Sequence, residues 1–275
     1  MNGLKRIGLI GLGAMGRPMA RHLIDRGFTI CGYDPVDEAQ QKALLLGVPL
    51  ESSPADVARE SELVLVVVGF DADVERVFFS KGGLMEAARP GLIVAICSTI
   101  APSYARELAE RTAKSGISLV DAPLTRGEWA AEAAQMLVLG GGDEAVFNRC
   151  KPVFEAFASD IFRLGPFGCG QVGKMVNNMI LWACMAASDE GLRLGEKLGV
   201  DQETMRAALG QSSAQNWSMT TRAEEKPTPW AEKDMTIVMQ EADDARMSVP
   251  VAGLVREAIK ELKFRRGYPT PRAPK

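Results

Sequence analysis

A chain of 275 residues with a formal net charge of −3, 47% hydrophobic and 24% charged residues has the make-up of one large or two ordinary globular domains. At this length about three quarters of the unfolded surface can be buried, so no metal or disulfide staple is needed. The near-neutral balance and 6% aromatic content exclude the basic footprint and the stacking platform of a nucleic-acid binder, which leaves small molecules as the expected partners.

One histidine, His22, stands in the whole chain, so a Ser-His-Asp triad, a histidine-ligated zinc or imidazole acid/base chemistry would have to run through it. The five cysteines, Cys31, Cys97, Cys150, Cys169 and Cys184, form no C-x-x-C pair, which points to reduced thiols, a cytoplasmic setting and no metal site. The longest uninterrupted apolar run, Met179 to Ala187, falls far short of the ~20 residues needed to cross a bilayer. Lys5 and Arg6 precede an apolar stretch, but Gly8, Gly11, Gly13 and Gly16 break it in the manner of a turn rather than a signal peptide.

In chain order, short apolar runs predict strands at Leu4 to Ile10, Phe28 to Tyr33, Leu63 to Val68, Leu92 to Ile96, Ser118 to Asp121 and Met136 to Leu139, with helix-length polar segments between them. Continuous hydrophobicity, as in LVLVVV from Leu63, is expected of strands covered on both faces. The fold class is therefore α/β, a doubly wound, largely parallel sheet over residues 1–164. After Gly165 the strands are expected to stop, and residues 165–275 read as an all-α second domain. No Gly or Pro interrupts Lys174 to Glu190, and Met175, Met179, Trp182 and Ala186 share one side of what reads as a long, mostly buried linking helix over about 170–193. Further helices are expected from Asp201 to Gly210, around Ala231 to Ala245, and from Pro250 to Gly267, followed by a loose proline-rich tail from Tyr268 to Lys275.

The segment GLGAMG sets Gly11, Gly13 and Gly16 in G-x-G-x-x-G spacing, directly after a strand and before a helix. Gly11 suits the tight turn, Gly13 lets backbone approach a pyrophosphate, Gly16 lets helix and strand pack closely, and Leu12, Ala14 and Met15 complete the loop that faces the anion. The next strand ends at Asp34, about 20 residues on, where a carboxylate accepts from the adenosine ribose hydroxyls and repels a 2′-phosphate. NAD is thus the expected cofactor, with NADP the alternative. The plainer reading of Asp34 is a turn residue before Pro35.

His22 lies near the end of the helix after the glycine turn, away from the expected nicotinamide position, where a helix-surface or dipole-capping role suffices. The proton must be handled elsewhere. Lys174 follows GPFGCGQVG at the start of the long helix, and Asn178 stands one turn on along the same face, so an ammonium and an amide can converge on one substrate oxygen. Spacing alone favours the plainer reading, a solvated lysine and a polar spacer.

GLGAMGRPM from Gly11, DAPLTRG from Asp121, GCGQVGKMVNN from Gly168 and Lys233-Asp234-Met235 stand in the order found in the β-hydroxyacid dehydrogenases, and the chain resembles that family over nearly its whole length. The resemblance implies a Rossmann-type domain, a long linking helix and a helical domain, with the active site in the cleft between them. It implies Lys174 as the catalytic lysine, Asn178 as its partner amide, and Lys233 as a residue that reaches the cofactor. It also places Val68 and Gly69 on the nicotinamide side and Thr99 close to the cofactor, and it implies a homodimer or homotetramer. Many relatives read D-A-P-V-S-G-G where this chain has Leu124, Thr125, Arg126 and Gly127. Thr125 keeps the hydroxyl, and with Arg126 and Gly127 it is the expected holder of the substrate's acid group. Arg126 either clamps an anion or turns to solvent or Glu128. The implied reaction is reversible oxidation of a small anionic 3-hydroxy acid to its semialdehyde or keto acid. A dedicated semialdehyde or glyoxylate-type reductase and a silent dinucleotide-binding module are the alternatives; loss of the lysine would mark the latter.

Overall fold

Strands whose residues are apolar on both faces need helices on both faces, and the first half of the chain supplies them in alternation. The computed structural model describes residues 3–221 and 228–269, so residues 270–275 of the expected tail lie outside the described residues. In chain order the elements are β1 (Arg6–Ile10), α1 (Gly16–Asp25), β2 (Thr29–Tyr33), α2 (Asp37–Leu44), α3 (Pro54–Glu60), β3 (Leu63–Val66), α4 (Asp71–Phe79), β4 (Ile93–Ile96), α5 (Pro102–Thr112), β5 (Ser118–Asp121), β6 (Leu124–Thr125), α6 (Gly127–Glu132), β7 (Met136–Gly142), α7 (Glu144–Phe154) and β8 (Ala158–Gly165). They continue with α8 (Cys169–Lys197), α9 (Gln202–Leu209), α10 (Trp217–Thr221), α11 (Ala231–Asp244) and α12 (Pro250–Arg265). Among the described residues there are two compact units, which divide between Lys174 and Met175, inside α8.

The first unit is a doubly wound sheet in the order β2-β1-β3-β4-β5-β7-β6, with β8 paired to β7. The strands from β2 to β5 are parallel, and the order reverses at β1, which leaves a crevice outside the carboxyl ends of β1 and β3. Every residue of β3 and β4 is buried. On one face Leu9, Leu65 and Ala95 pack with Met19 and Leu23 of α1 and Phe147 and Phe154 of α7. On the other, Ile10, Val66 and Val94 pack with Val57 of α3, Val74 and Phe78 of α4 and Leu108 of α5.

The sheet also corrects the expectation. It gains β6 and β8, and β7 runs antiparallel to β5 and β6. β8 escapes sequence reading because its residues are mostly exposed or half-buried, so no apolar run marks it.

In the second unit, Trp182, Met185 and Ala186 of α8 pack with Met235 and Val238 of α11 and with Val255, Ile259 and Leu262 of α12. Asp201 caps α9 by accepting from Thr204 N at 2.8 Å, and Pro250 opens α12, as the sequence suggests. Trp182 Nε1 donates to the buried Asp234 at 3.1 Å. Lys263, almost fully buried, donates to Pro229 O and pairs with Glu232 at 3.0 Å, anchoring the start of α11 to α12. α8 is less buried than expected, for Val172, Val176 and Ile180 line up exposed on successive turns.

Candidate active site

The glycine turn joins β1 to α1 at the point where the strand order reverses. Gly11 takes φ +96°, its N–H donates to Tyr33 O at 2.9 Å, and a Cβ there would stand 2.2 Å from Val67 O. A Cβ on Gly16 would stand 2.0 Å from Gly11 O, so close helix–strand packing requires that glycine. Gly13 differs, since a Cβ there would meet nothing within 4 Å. The protein's own packing does not demand glycine at that position, whereas a pyrophosphate drawn onto the backbone would. No side chain caps the N-terminus of α1, and no acid occupies its first turn. These features fit a dinucleotide phosphate. Leu12 is fully buried, so it can reach a cofactor only through its backbone, whereas Ala14 is exposed and Met15 half-buried.

Asp34 closes the next strand, nearly buried. Its Oδ2 accepts from Leu12 N at 2.7 Å and its Oδ1 from Val36 N at 2.9 Å. The carboxylate therefore ties the glycine loop to β2 and forms the local turn before α2, while its remaining lone pairs can still take ribose hydroxyls.

The ends of β3 and β4 are cross-tied by Ser98, whose hydroxyl accepts from Val68 N at 2.7 Å and donates to Val66 O at 3.2 Å. This ties Val68 to the end of β4; Val68, Gly69 and Thr99 are all half-buried and follow the carboxyl ends of β3 and β4. Gly11 to Gly16, Asp34, Val68, Gly69 and Thr99 thus lie at the ends of consecutive strands of one sheet.

The entry to α8 is built from residues far apart in the chain. Asp121, fully buried at the end of β5, accepts from Gly168 N at 3.0 Å and from Gln171 N at 2.8 Å. Gly141 and Gly170 leave room for that carboxylate, since a Cβ on either would come within 2.7 Å of it. Burial pushes the Asp121 carboxyl up, against the pull of these backbone donors. Gln171, also fully buried, donates from Nε2 to Ser98 O at 2.9 Å and accepts at Oε1 from Ile100 N at 3.1 Å, so its amide brackets Thr99. Sequence reasoning singled out neither residue. DAPLTRG began at Asp121, but nothing in it announced a helix cap.

Lys174 follows this fixed turn and is half-buried. Asn178 is buried one turn further along α8, and its Oδ1 accepts from Asn177 Nδ2 at 3.0 Å. Lys233 lies in the first turn of α11, with Nζ 5.7 Å from the centre of the Trp230 ring. Asn178 and Lys233 belong to the second unit and the other expected residues to the first.

Thr125 is buried at the end of β6, its hydroxyl 3.5 Å from Leu137 O. Arg126 and Gly127 both take φ +78°. The Arg126 guanidinium donates from Nη1 to Asp160 at 2.7 Å, Ser159 Oγ at 2.9 Å and Gln135 O at 3.0 Å; Asp160, not the adjacent Glu128, is its carboxylate partner. At its far end α6 is held by α1. His22 Nε2 lies 3.0 Å from Ala131 O, and Arg21 pairs with Glu132 at 2.9 Å. The same nitrogen lies 3.3 Å from Arg21 Nη2, so His22 sits between a donor and an acceptor at the junction of the two helices. Among the described residues, no three His, Cys, Asp or Glu side chains gather as a metal site, and no helix is long and apolar enough to cross a membrane.

Residues 6–165 match the family model described as the NAD binding domain of 6-phosphogluconate dehydrogenase, and residues 168–269 match that described as NAD-binding of NADP-dependent 3-hydroxyisobutyrate dehydrogenase. The chain is 34% identical over 219 residues to 2-(hydroxymethyl)glutarate dehydrogenase of Eubacterium barkeri, a match covering 80% of this chain and 73% of the relative. It is 32% identical over 275 residues to 3-hydroxyisobutyrate dehydrogenase of Pseudomonas aeruginosa, covering 91% and 89%. Among solved structures, 3-hydroxyisobutyrate dehydrogenase of Mycobacterium tuberculosis, with L-serine, superposes with a TM-score of 0.85 at 26% identity, covering 95% of this chain and 94% of that one. With the glycine turn, the strand-edge residues and both domain models in agreement, the chain belongs to the β-hydroxyacid dehydrogenase family and is an NAD(P)-dependent oxidoreductase acting on a CH–OH group.

Proposed function

We propose that this enzyme interconverts a small 3-hydroxy acid and its semialdehyde or keto acid, with Lys174 as the acid/base. The observation that carries the reading is the rigid entry to α8: Asp121 and Gln171 fasten its first turn to the strand edge that carries Ser98 and Thr99, and Lys174 follows on the same helix. A nicotinamide dinucleotide held at the glycine turn would supply the hydride chemistry at the carbinol carbon. Lys174 Nζ hydrogen-bonds the substrate hydroxyl and accepts its proton, or in the reverse direction donates one to the carbonyl oxygen. Asn178 orients the lysine and that oxygen from one turn away. The hydroxyl of Thr125 and the N–H groups of Arg126 and Gly127 hold the acid group, while Lys233 reaches the cofactor.

Asp34 supports a preference for NAD, because a 2′-phosphate would meet its carboxylate, with Asp37 and Glu38 close behind at the start of α2. The exposed line of Val172, Val176 and Ile180 supports association of copies into a homodimer or homotetramer.

The test is oxidation of 3-hydroxyisobutyrate, 2-(hydroxymethyl)glutarate and L-serine with NAD and NADP, by wild type and Lys174→Ala. Lys174→Ala is expected to lower kcat by about 10²–10⁴-fold while cofactor affinity and Tm stay at wild-type values. A loss of less than about tenfold would remove the lysine from the chemistry.

A further inference from the structure

We infer that Arg126 acts on the substrate segment as a backbone tether, and that Asp160 is a positioning residue for substrate binding through it. The inference rests on the reading above that Thr125 to Gly127 hold the acid group. Arg126 stands at φ +78°, a conformation that L side chains other than Asn and Asp rarely adopt. One nitrogen of its guanidinium, Nη1, is anchored among three acceptors, Gln135 O, Ser159 Oγ and Asp160 Oδ2, all within 3.0 Å.

Those acceptors lie where a tether needs them. Gln135 follows Ala134, which is itself left-handed at φ +53°, so the bond from Arg126 to Gln135 O closes the loop that contains α6 at its base. Ser159 and Asp160 belong to β8, which pairs with β7, the strand beside β6. The Ser159 hydroxyl donates to Asp160 Oδ2 at 2.7 Å, so the carboxylate is held in place for the arginine. Anchored through Nη1 on the side of β8 and Gln135, the side chain has a structural role without any substrate contact. It holds the turn in a strained conformation, and the turn's amides then point in one direction.

The test compares Arg126→Ala, Arg126→Gly, Asp160→Ala and Arg126→Gly/Asp160→Ala. Tm is measured without ligand, and kcat and KM on whichever of 3-hydroxyisobutyrate, 2-(hydroxymethyl)glutarate and L-serine the wild type oxidises fastest. Both arginine variants lose the tether, but only alanine keeps the left-handed strain, so Arg126→Ala is expected to melt about 2–4 °C below Arg126→Gly. Asp160→Ala is expected to raise KM about tenfold with kcat and cofactor KM little changed, as loss of a positioned binding group does. Arg126→Gly should raise KM less than Arg126→Ala does, and adding Asp160→Ala to it should change nothing further.

Equal and large KM increases for Arg126→Ala and Arg126→Gly would overturn the inference, since the guanidinium would then grip the acid itself. An unchanged KM in Asp160→Ala would also overturn it. Gly127→Ala separates the two levels. If it raises KM while Asp160→Ala does not, the tether alone fails; if neither moves KM, Thr125 to Gly127 is not the acid site and the functional reading fails with it.

Discussion

The glycine turn and the entry to α8 both present backbone at the carboxyl edge of the same sheet, and they are held in opposite ways. In the turn, constraint is steric: backbone carbonyls, Val67 O against Gly11 and Gly11 O against Gly16, exclude a side chain at either glycine, and Tyr33 O and Asp34 of β2 and the turn after it hold the loop's N–H groups. At the helix entry, buried side chains that sit 47 to 73 positions from their partners make the bonds. A steric constraint fails when an atom is added, and a polar one when an atom's chemistry is changed.

The largest effect is expected from breaking the turn. Gly11→Ala puts a Cβ against Val67 O at a left-handed φ, and should cost on the order of 3 kcal/mol or more of stability in a denaturant titration. A cost below about 1 kcal/mol would show slack in the turn. Asp121→Asn breaks the second region, because Gly168 N and Gln171 N face different carboxylate oxygens and the amide sets its NH2 against one of them; we expect a loss of about 1–3 kcal/mol and a fall in kcat, with cofactor affinity retained.

The same variant carries a pH signature. A carboxyl whose folded pKa lies above its unfolded value binds its proton more tightly in the native state, so its contribution to stability falls as pH rises from the ordinary carboxylate range to the raised value. Wild type should therefore lose stability relative to Asp121→Asn on going from about pH 4 to neutrality, and thermal melts at both pH values would show it. A constant difference would mean that Asp121 is not perturbed.

Gly13→Ala sharpens the contrast within the turn itself. With open space around the new methyl, Tm should shift by no more than about 2 °C, while NAD affinity, followed by fluorescence titration, falls. Loss of both together would make Gly13 structural. The smallest effect belongs to His22→Gln, which lies in neither region. A neutral donor can replace the imidazole against the end of α6, so activity should stay within about twofold and stability within about 1 kcal/mol.

The contrast also explains what could be read in advance. Glycine spacing, a strand that ends in Asp34, and strands such as LVLV in β3 are near-neighbour patterns, and they sufficed to read the parallel sheet and the glycine turn at its carboxyl edge. β8 was missed because its apolar residues are not gathered on a buried face, and two-residue β6 is too short to carry a pattern. Lys174 and Asn178 were visible as a helical pair, but not the means by which their helix is held. Gln171 in GCGQVGK gives no sign that its amide spans Ser98 and Ile100, because burial of a polar side chain becomes apparent only with its distant partners in place. For Arg126 the chain offered Glu128 as the neighbouring acid, and the fold supplied Asp160 instead.

The left-handed backbone of Arg126 makes the tolerance of one position depend on another. Glycine is at ease at φ +78°, so exchanging glycine for arginine there brings in the strain in a single step. With Asp160 already in β8 the new side chain finds its anchor at once; without it, the change is a bare loss. The two positions are therefore coupled: losing Asp160 is costly with Arg126 in place and nearly neutral with glycine there.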